Sequence, residues 1–205
     1  MTSVYSNLLG YAVLGIFLDS ETNGLNVKRH HIIEIAYKII DIQTGASIEA
    51  FSTPLFVTDV EWAKSDPASL EVNGFTFEEL QKGMKREEAA DIIQRSFARC
   101  GIERGKAVFI CQNPSFDRAF FSQLVDADTQ EKLNWPYHWL DLASMYWAKC
   151  LQERTVKPWE TGISKNKIAE ALGLPLEADP HKAMNGVDHL LLCYEKVIGF
   201  DSERP

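Results

Sequence analysis

The feature that most constrains this chain is an apolar run that ends in two carboxylates. The apolar residues Val13 to Leu18 are followed directly by Asp19 and Glu21, which stand two positions apart. Alternate side chains of a strand share one face, so both carboxylates should point the same way. Like charges side by side need a neutralising cation, such as a divalent metal with oxygen ligands. The pair indicates metal-assisted chemistry on a phosphate; the alternative is a strand end with two solvated acids and an Asn-Gly turn.

Length and composition predict one domain with a full hydrophobic core. The 205 residues, 45% apolar and 24% charged, are ordinary for a globular protein. We find no apolar run of about 18 residues and no signal-peptide pattern, which favours a cytoplasmic protein without a membrane partner. The scattered cysteines include no C-x-x-C pair, so neither a zinc site nor a disulfide framework is indicated. The net charge of −8 argues against a basic face for long duplex nucleic acid and suits a single strand held at its end.

The order of predicted elements indicates a single α/β domain over residues 1–205, with its core at about 11–198. Hydrophobic periodicity predicts three strands with short connections, which suit an antiparallel meander, at 11–18, 30–42 and 47–56. Helices and one more strand follow: helix 89–99, strand 106–111, and helices 116–125, 141–150, 164–172 and 182–198. This order predicts a mixed sheet flanked by helices.

Two further segments carry side chains suited to chemistry. Asp117 follows the strand at 106–111, and ligands of open α/β sheets bind near the carboxyl ends of strands. The alternative for Asp117 is a first-turn acid that the helix dipole favours. His181 precedes the last predicted helix, where a loop could expose it, although a lone histidine is often a surface or packing residue.

Together, and in this order, the segments resemble the DEDDh family of 3′-5′ exonucleases, the DnaQ-like group of the ribonuclease H-like superfamily. Residues 19–22 match the family's D-x-E-T motif, and residues 32–35 match its I-I-E-I strand. The N-x-x-F-D-x-x-F motif appears at 113–120 and the H-x-A motif at 181–183. The resemblance covers about residues 11–198. It implies a ribonuclease H-like fold: a mixed five-stranded sheet, with an antiparallel meander plus parallel strands, flanked by helices.

The resemblance implies hydrolysis at the 3′ end of single-stranded DNA or RNA by a two-metal mechanism. Asp19, Glu21 and Asp117 would hold two divalent cations, Mg²⁺ or Mn²⁺, which together clamp the attacking and leaving oxygens. His181 would be the general base, a task that suits histidine near neutral pH. A homodimer, or a separate polymerase or repair partner, is left open by the sequence.

The resemblance also implies a set of substrate contacts. Thr22 and Gly24 would contact the terminal nucleotide through the hydroxyl and the backbone. Leu25 and Phe116 would pack on the terminal bases, where stacking tolerates different sequences. Asn113 would orient the strand near its 3′ end.

The match breaks at the family's fourth carboxylate, whose position holds Gly186. Asp188 stands two residues further on, and this offset turns its side chain by about 200° on a helix. We therefore expect loss of the fourth acid, with weaker binding of one cation, and keep Asp188 as the alternative metal ligand. A second interpretation of Gly186 is a DnaQ-like domain that has lost catalysis and works as a nucleic-acid or protein binding module.

Overall fold

A mixed sheet of five strands runs through residues 13–200, the part of the chain that the computed structural model describes. The strands are β1 (Leu14–Thr22), β2 (Ile32–Asp41), β3 (Ser47–Pro54), β4 (Ala107–Cys111) and β5 (Trp139–Asp141). Their order across the sheet is β3-β2-β1-β4-β5. Antiparallel pairs join β1 to β2 and β2 to β3, whereas β1–β4 and β4–β5 are parallel. The predicted meander and mixed five-stranded sheet are confirmed.

The first strand differs in its bounds from the prediction of 11–18. It extends through the acidic pair to Thr22, because β2 continues to pair with it beyond Asp19. Residues 11 and 12, which the prediction included, lie outside the described residues.

Helices fill the connections between the strands. In the described part of the chain they are α1 (Asp59–Trp62), α2 (Pro67–Asn73), α3 (Phe77–Leu80), α4 (Arg86–Arg99), α5 (Pro114–Phe121), α6 (Ala127–Lys132), α7 (Leu142–Glu153), α8 (Pro158–Thr161), α9 (Lys165–Leu172) and α10 (Ala183–Val197). None of them is long and apolar enough to cross a membrane.

Capping residues set the ends of the helices that build the site. The Asp141 carboxylate accepts hydrogen bonds from the backbone amides of Ala143 and Ser144 at the start of α7. The Ser164 hydroxyl accepts one from Lys167 N at the start of α9. Such caps satisfy amides that have no partner within the helix. The left-handed Gly173, at a φ of 69°, ends α9.

The two faces of the sheet carry separate hydrophobic cores. Leu18 and Tyr37 pack on one side with Phe97 of α4. Phe17, from the same strand as Leu18, packs on the other side with Val187 of α10. The central strand β1 is therefore buried on both faces, and its carboxyl end is the place where α5, α9 and α10 can bring side chains together.

Candidate active site

The four candidate catalytic side chains from the sequence line one cavity at the carboxyl end of β1. The cavity, of about 290 Å³, is bordered by Asp19 and Glu21 from β1, Asp117 from α5, and His181 from the loop before α10. Asp19 and Glu21 lie on the same side of the strand as Phe17, as the alternation of strand side chains predicts. The fold thus brings these groups together from three distant parts of the sequence.

Asp117 is held in the cavity by a neighbour of the acidic pair. Its carboxylate is 4% exposed, and its Oδ1 accepts a hydrogen bond of 2.7 Å from the Ser20 hydroxyl. Asp117 also stands in the first turn of α5. The dipole of that helix and a position in the cavity are therefore both part of its environment.

The buried carboxylates of this site hold their protons unusually tightly. Burial, followed by the charges of Asp19 and Glu34, raises the pKa of Glu21 to about 8. Burial, followed by the charge of Asp19, raises the pKa of Asp117 to about 8. Glu34 lies opposite Glu21 across the β1–β2 pair and accepts a hydrogen bond of 2.7 Å from Ala183 N. A cation bound among these carboxylates would stabilise their ionised forms and so lower their pKa values.

His181 lies at the rim of the cavity, on a segment tied to α2. Its backbone N–H donates to Val72 O at 3.1 Å. Its side chain is 34% exposed, with Nδ1 3.8 Å from Glu177 Oε1. The imidazole is therefore open to solvent at the edge of the acidic cavity.

Two charged residues that the sequence did not single out also line the cavity. Lys165, the first residue of α9, places Nζ 3.0 Å from Asp19 Oδ1 and 3.2 Å from Glu177 Oε2. Burial alone would lower the pKa of Lys165, but the charges of Asp19 and Glu177 outweigh it and raise the pKa above its ordinary value. Lys165 is therefore a fixed cation. A cation at a helix N-terminus is unfavourable because it opposes the helix dipole. This unfavourable position could have marked Lys165 in the sequence, whereas no local pattern marked Glu177.

Position 186 of α10 faces Asp19 and Lys165. A Cβ built on Gly186 would lie 2.2 Å from Asp19 Oδ2, much closer than atoms can approach. Asp188, two residues later, forms an ion pair with Lys38 of β2 and is 52% exposed. The structure thus places Gly186 at the acidic site and Asp188 in a surface pair, among the residues of a different cavity.

A second cavity of about 320 Å³ adjoins the first. The two share Ser20, Glu21 and Phe116, and the second is also lined by Thr22 and Leu25. The Leu25 side chain is 74% exposed. An apolar surface therefore borders the acidic one.

The other predicted substrate contacts have defined places. The Thr22 hydroxyl donates to Gly24 O at 2.9 Å, and a Cβ at Gly24 would lie 2.2 Å from His30 Nδ1. Asn113 is exposed at the start of α5 with a φ of 57°, and its N–H donates to Asp141 Oδ1 at 3.1 Å. In the described part of the chain, Asn113 belongs to the lining of neither cavity.

The donor set suits a divalent cation chemically but is not arranged as a finished metal centre. Asp19, Glu21 and Asp117 offer the oxygen ligands that Mg²⁺ and Mn²⁺ prefer. Among residues 13–200, however, no three His, Cys, Asp or Glu side chains are grouped so that they could hold a metal ion. Lys165 is paired with Asp19 Oδ1, and the backbone of Gly186 lies close to Asp19 Oδ2. The donor set therefore fits a divalent cation by its chemistry, once the side chains adjust.

Known structures share this fold at low sequence identity. Escherichia coli exonuclease I in complex with a dT13 oligonucleotide matches with a TM-score of 0.73 and 16% identity, over 91% of this chain and 41% of that chain. Exonuclease I from Methylocaldum szegediense matches with a TM-score of 0.70 and 15% identity, over 90% and 40%. Cell-death related nuclease 4 (CRN-4) matches with a TM-score of 0.68 and 14% identity, over 92% and 65%. The chain thus spans about two fifths of the exonuclease I proteins.

No curated protein matches the sequence. The model of the RNase T family, described as exonuclease, matches residues 16–187. That span begins in β1 and ends in α10, so it contains the elements that carry Asp19, Glu21, Asp117 and His181. Exonucleases of this kind use divalent metal ions. The chain therefore belongs to the RNase T family of exonucleases.

Proposed function

We propose that this chain is a metal-dependent 3′-5′ exonuclease that hydrolyses phosphodiester bonds at the 3′ end of single-stranded DNA or RNA. The observation that carries the proposal is the convergence of Asp19, Glu21, Asp117 and His181 on one cavity. The complexes of E. coli exonuclease I with dT13 and dA16 oligonucleotides support a single-stranded ligand. The 3′ polarity rests on the resemblance of the motifs.

The terminal phosphodiester would enter the acidic cavity. A divalent cation held by Asp19, Glu21 and Asp117 would supply positive charge to the phosphate and acidify the attacking water. His181 lies on the same cavity and would accept the proton of that water. The water oxygen forms a bond to phosphorus, the bond from phosphorus to the 3′ oxygen breaks, and that oxygen takes up a proton. The products are a nucleoside 5′-monophosphate and a strand shortened by one nucleotide.

The adjoining cavity would hold the last nucleotides. Leu25 and Phe116 present apolar surface there, which suits bases of any sequence. Thr22 and Gly24 would contact the terminal nucleotide beside the acidic pair. Asn113 is proposed to orient the strand from outside the two cavities.

The test is degradation of matched DNA and RNA oligonucleotides in the presence of Mn²⁺ or Mg²⁺. Strands labelled at the 5′ end should give a ladder of shortening products, and strands labelled at the 3′ end should release the label as a mononucleotide at once. Chelation of the metal should stop both. Release of the 5′ label first would contradict the polarity, and cleavage within the strand would contradict an exonuclease.

The alternative is a domain that binds nucleic acid or protein and has lost catalysis. The observation that favours it is Gly186, which offers no ligand where the family has an acid, next to the Lys165–Asp19 pair. Such a module would bind a single-stranded oligonucleotide in a titration but leave its length unchanged over hours with Mn²⁺. Mononucleotide release that depends on His181 would rule this alternative out.

A further inference from the structure

The Lys165 ammonium has a complete set of acceptors within the protein. Its Nζ lies 3.0 Å from Asp19 Oδ1, 3.3 Å from Glu177 Oε1 and 3.3 Å from Gly186 O. An ammonium has three N–H donors, so these acceptors saturate it. Its side chain is 11% exposed, and that of Glu177 is 2% exposed. The Lys165–Glu177 ion pair is thus a buried part of the site and not a surface ion pair.

The backbone of α10 leaves room for the Lys165 ammonium at Gly186. A Cβ at position 186 would lie 2.9 Å from Lys165 Nζ as well as 2.2 Å from Asp19 Oδ2. A larger side chain at 186 would therefore collide with both partners of the Lys165–Asp19 pair. Glycine at 186 and lysine at 165 are compatible with each other, and the carbonyl of Gly186 is one of the acceptors.

The same contacts limit how many ions Asp19 can bind. A divalent cation on Asp19 Oδ1 would sit about 2–2.6 Å from that oxygen, which already accepts from the ammonium. Two cations on one carboxylate oxygen in a buried place repel each other strongly. The other oxygen, Oδ2, has the Gly186 backbone beside it. Each Asp19 oxygen thus already has one neighbour, which leaves room for Asp19 to share in one metal site with Glu21 and Asp117, the other carboxylates of the cavity, and not in a second.

We propose that the Lys165 ammonium, held by Glu177, stands in the place of a second divalent cation, so that this chain binds one metal ion where a two-metal nuclease binds two. The inference rests on the proposed metal-dependent function of the same cavity. Because its donors are saturated, Lys165 acts as a fixed charge and not as a hydrogen-bond donor to substrate. Glycine at 186 then accompanies the replacement of a divalent cation by the Lys165 ammonium. It is more than the loss of a carboxylate ligand.

The experiment counts bound Mn²⁺ per chain, by calorimetry and by the electron paramagnetic resonance signal of free Mn²⁺. The wild-type protein should bind one ion. Lys165→Met removes the ammonium and frees Asp19 and Glu177, so it should bind two. Lys165→Arg keeps a cation and should bind one. Lys167→Met, on the same helix but in an exposed pair with Glu170, is the matched control and should bind one.

The outcomes separate the one-metal inference from the proposed metal-dependent function. Two ions in the wild-type protein would overturn the inference and leave the metal-dependent nuclease standing. No ion, together with hydrolysis that chelators do not affect, would remove the proposed metal dependence and the inference with it. A folded Lys165→Met variant that still binds one ion would also overturn the inference. If that variant does not fold, the wild-type and Lys165→Arg counts decide the question.

Discussion

The proposed general base, His181, lies at the edge of the acidic cavity and outside both hydrophobic cores. Its ring is partly exposed at the rim of the acidic cavity. General-base catalysis contributes about 10²–10⁴-fold to a rate. We expect His181→Ala to lower kcat for mononucleotide release by about that factor and to leave the thermal midpoint close to the wild-type value. His138→Ala, at an exposed histidine outside the cavity, should leave kcat unchanged. Equal rates for both variants would remove His181 from the mechanism.

The raised pKa values of Glu21 and Asp117, both about 8, predict how the metal-free protein responds to pH. The folded state keeps these protons where the unfolded state, with ordinary carboxyl pKa values near 4, has released them. Their contribution to stability is therefore complete below about pH 4 and is lost as pH rises through about 8. In EDTA, the thermal midpoint should fall between pH 6 and pH 9, by about 2–4 °C for each kcal/mol lost.

Asp117→Asn should reduce this dependence, because an amide does not titrate. Mn²⁺ added at pH 9 should restore the midpoint, since a bound cation replaces the lost protons. Asp188→Asn changes a carboxylate in a surface pair and should leave the pH dependence as it is. A midpoint that rises from pH 6 to pH 9 in wild-type protein would contradict the environment described for both acids.

Local sequence predicts some of the contacts between individual side chains and not others. Strand alternation alone placed Asp19 and Glu21 on one face, since they are close in the chain. Lys165 meets Asp19 across 146 positions of sequence, so their contact exists only in the folded chain. The roles of Thr22, Gly24, Leu25, Asn113 and Phe116 in binding substrate stay predictions.

Helix α10 approaches β1 closely because position 186 has no side chain. In most helices, glycine to alanine is stabilising by up to about 1 kcal/mol. Here the added methyl would meet Asp19 and Lys165 at 2.2 and 2.9 Å. We expect Gly186→Ala to destabilise the protein by about 1–3 kcal/mol, the usual cost of overpacking, as measured by denaturant unfolding. Asn185→Ala, at the exposed neighbour, should change stability by less than about 0.5 kcal/mol. A more stable Gly186→Ala protein would contradict the close approach.

Elements with their own local signals were predictable from the sequence. The caps Asp141 and Ser164, the stop at Gly173 and the apolar periodicity of α10 each depend on neighbours within a few residues. Strand β5 was not placed, because its three residues become a strand only through pairing with β4. Secondary structure that a distant partner imposes leaves little trace in local sequence.

The whole molecule carries a net charge of −8, which bears on how it can hold a polyanion. A strand end in two small cavities would engage about two or three phosphates. For single strands, the logarithm of the affinity falls with the logarithm of the salt concentration, with a slope of about −0.7 for each phosphate contact. The second-order rate constant kcat/KM should therefore fall about 10-fold between 50 and 200 mM salt. Measurement of kcat/KM over this range at constant Mn²⁺ tests it. A fall of about 10³-fold, typical of many contacts, would point to a broad binding face instead.

The pairing of Lys165 with Gly186 also hinders any rebuilding of this site by single substitutions. A carboxylate placed first at 186 meets Asp19 and the ammonium before any metal can arrive. Shortening Lys165 first clears only one of these partners, and it exposes Glu177 and Asp19 to each other without their shared cation. Each path between the present site and one with a fourth acid therefore begins with a strained intermediate. Selection acting one substitution at a time, like an engineer doing the same, meets a barrier whichever of the two positions changes first.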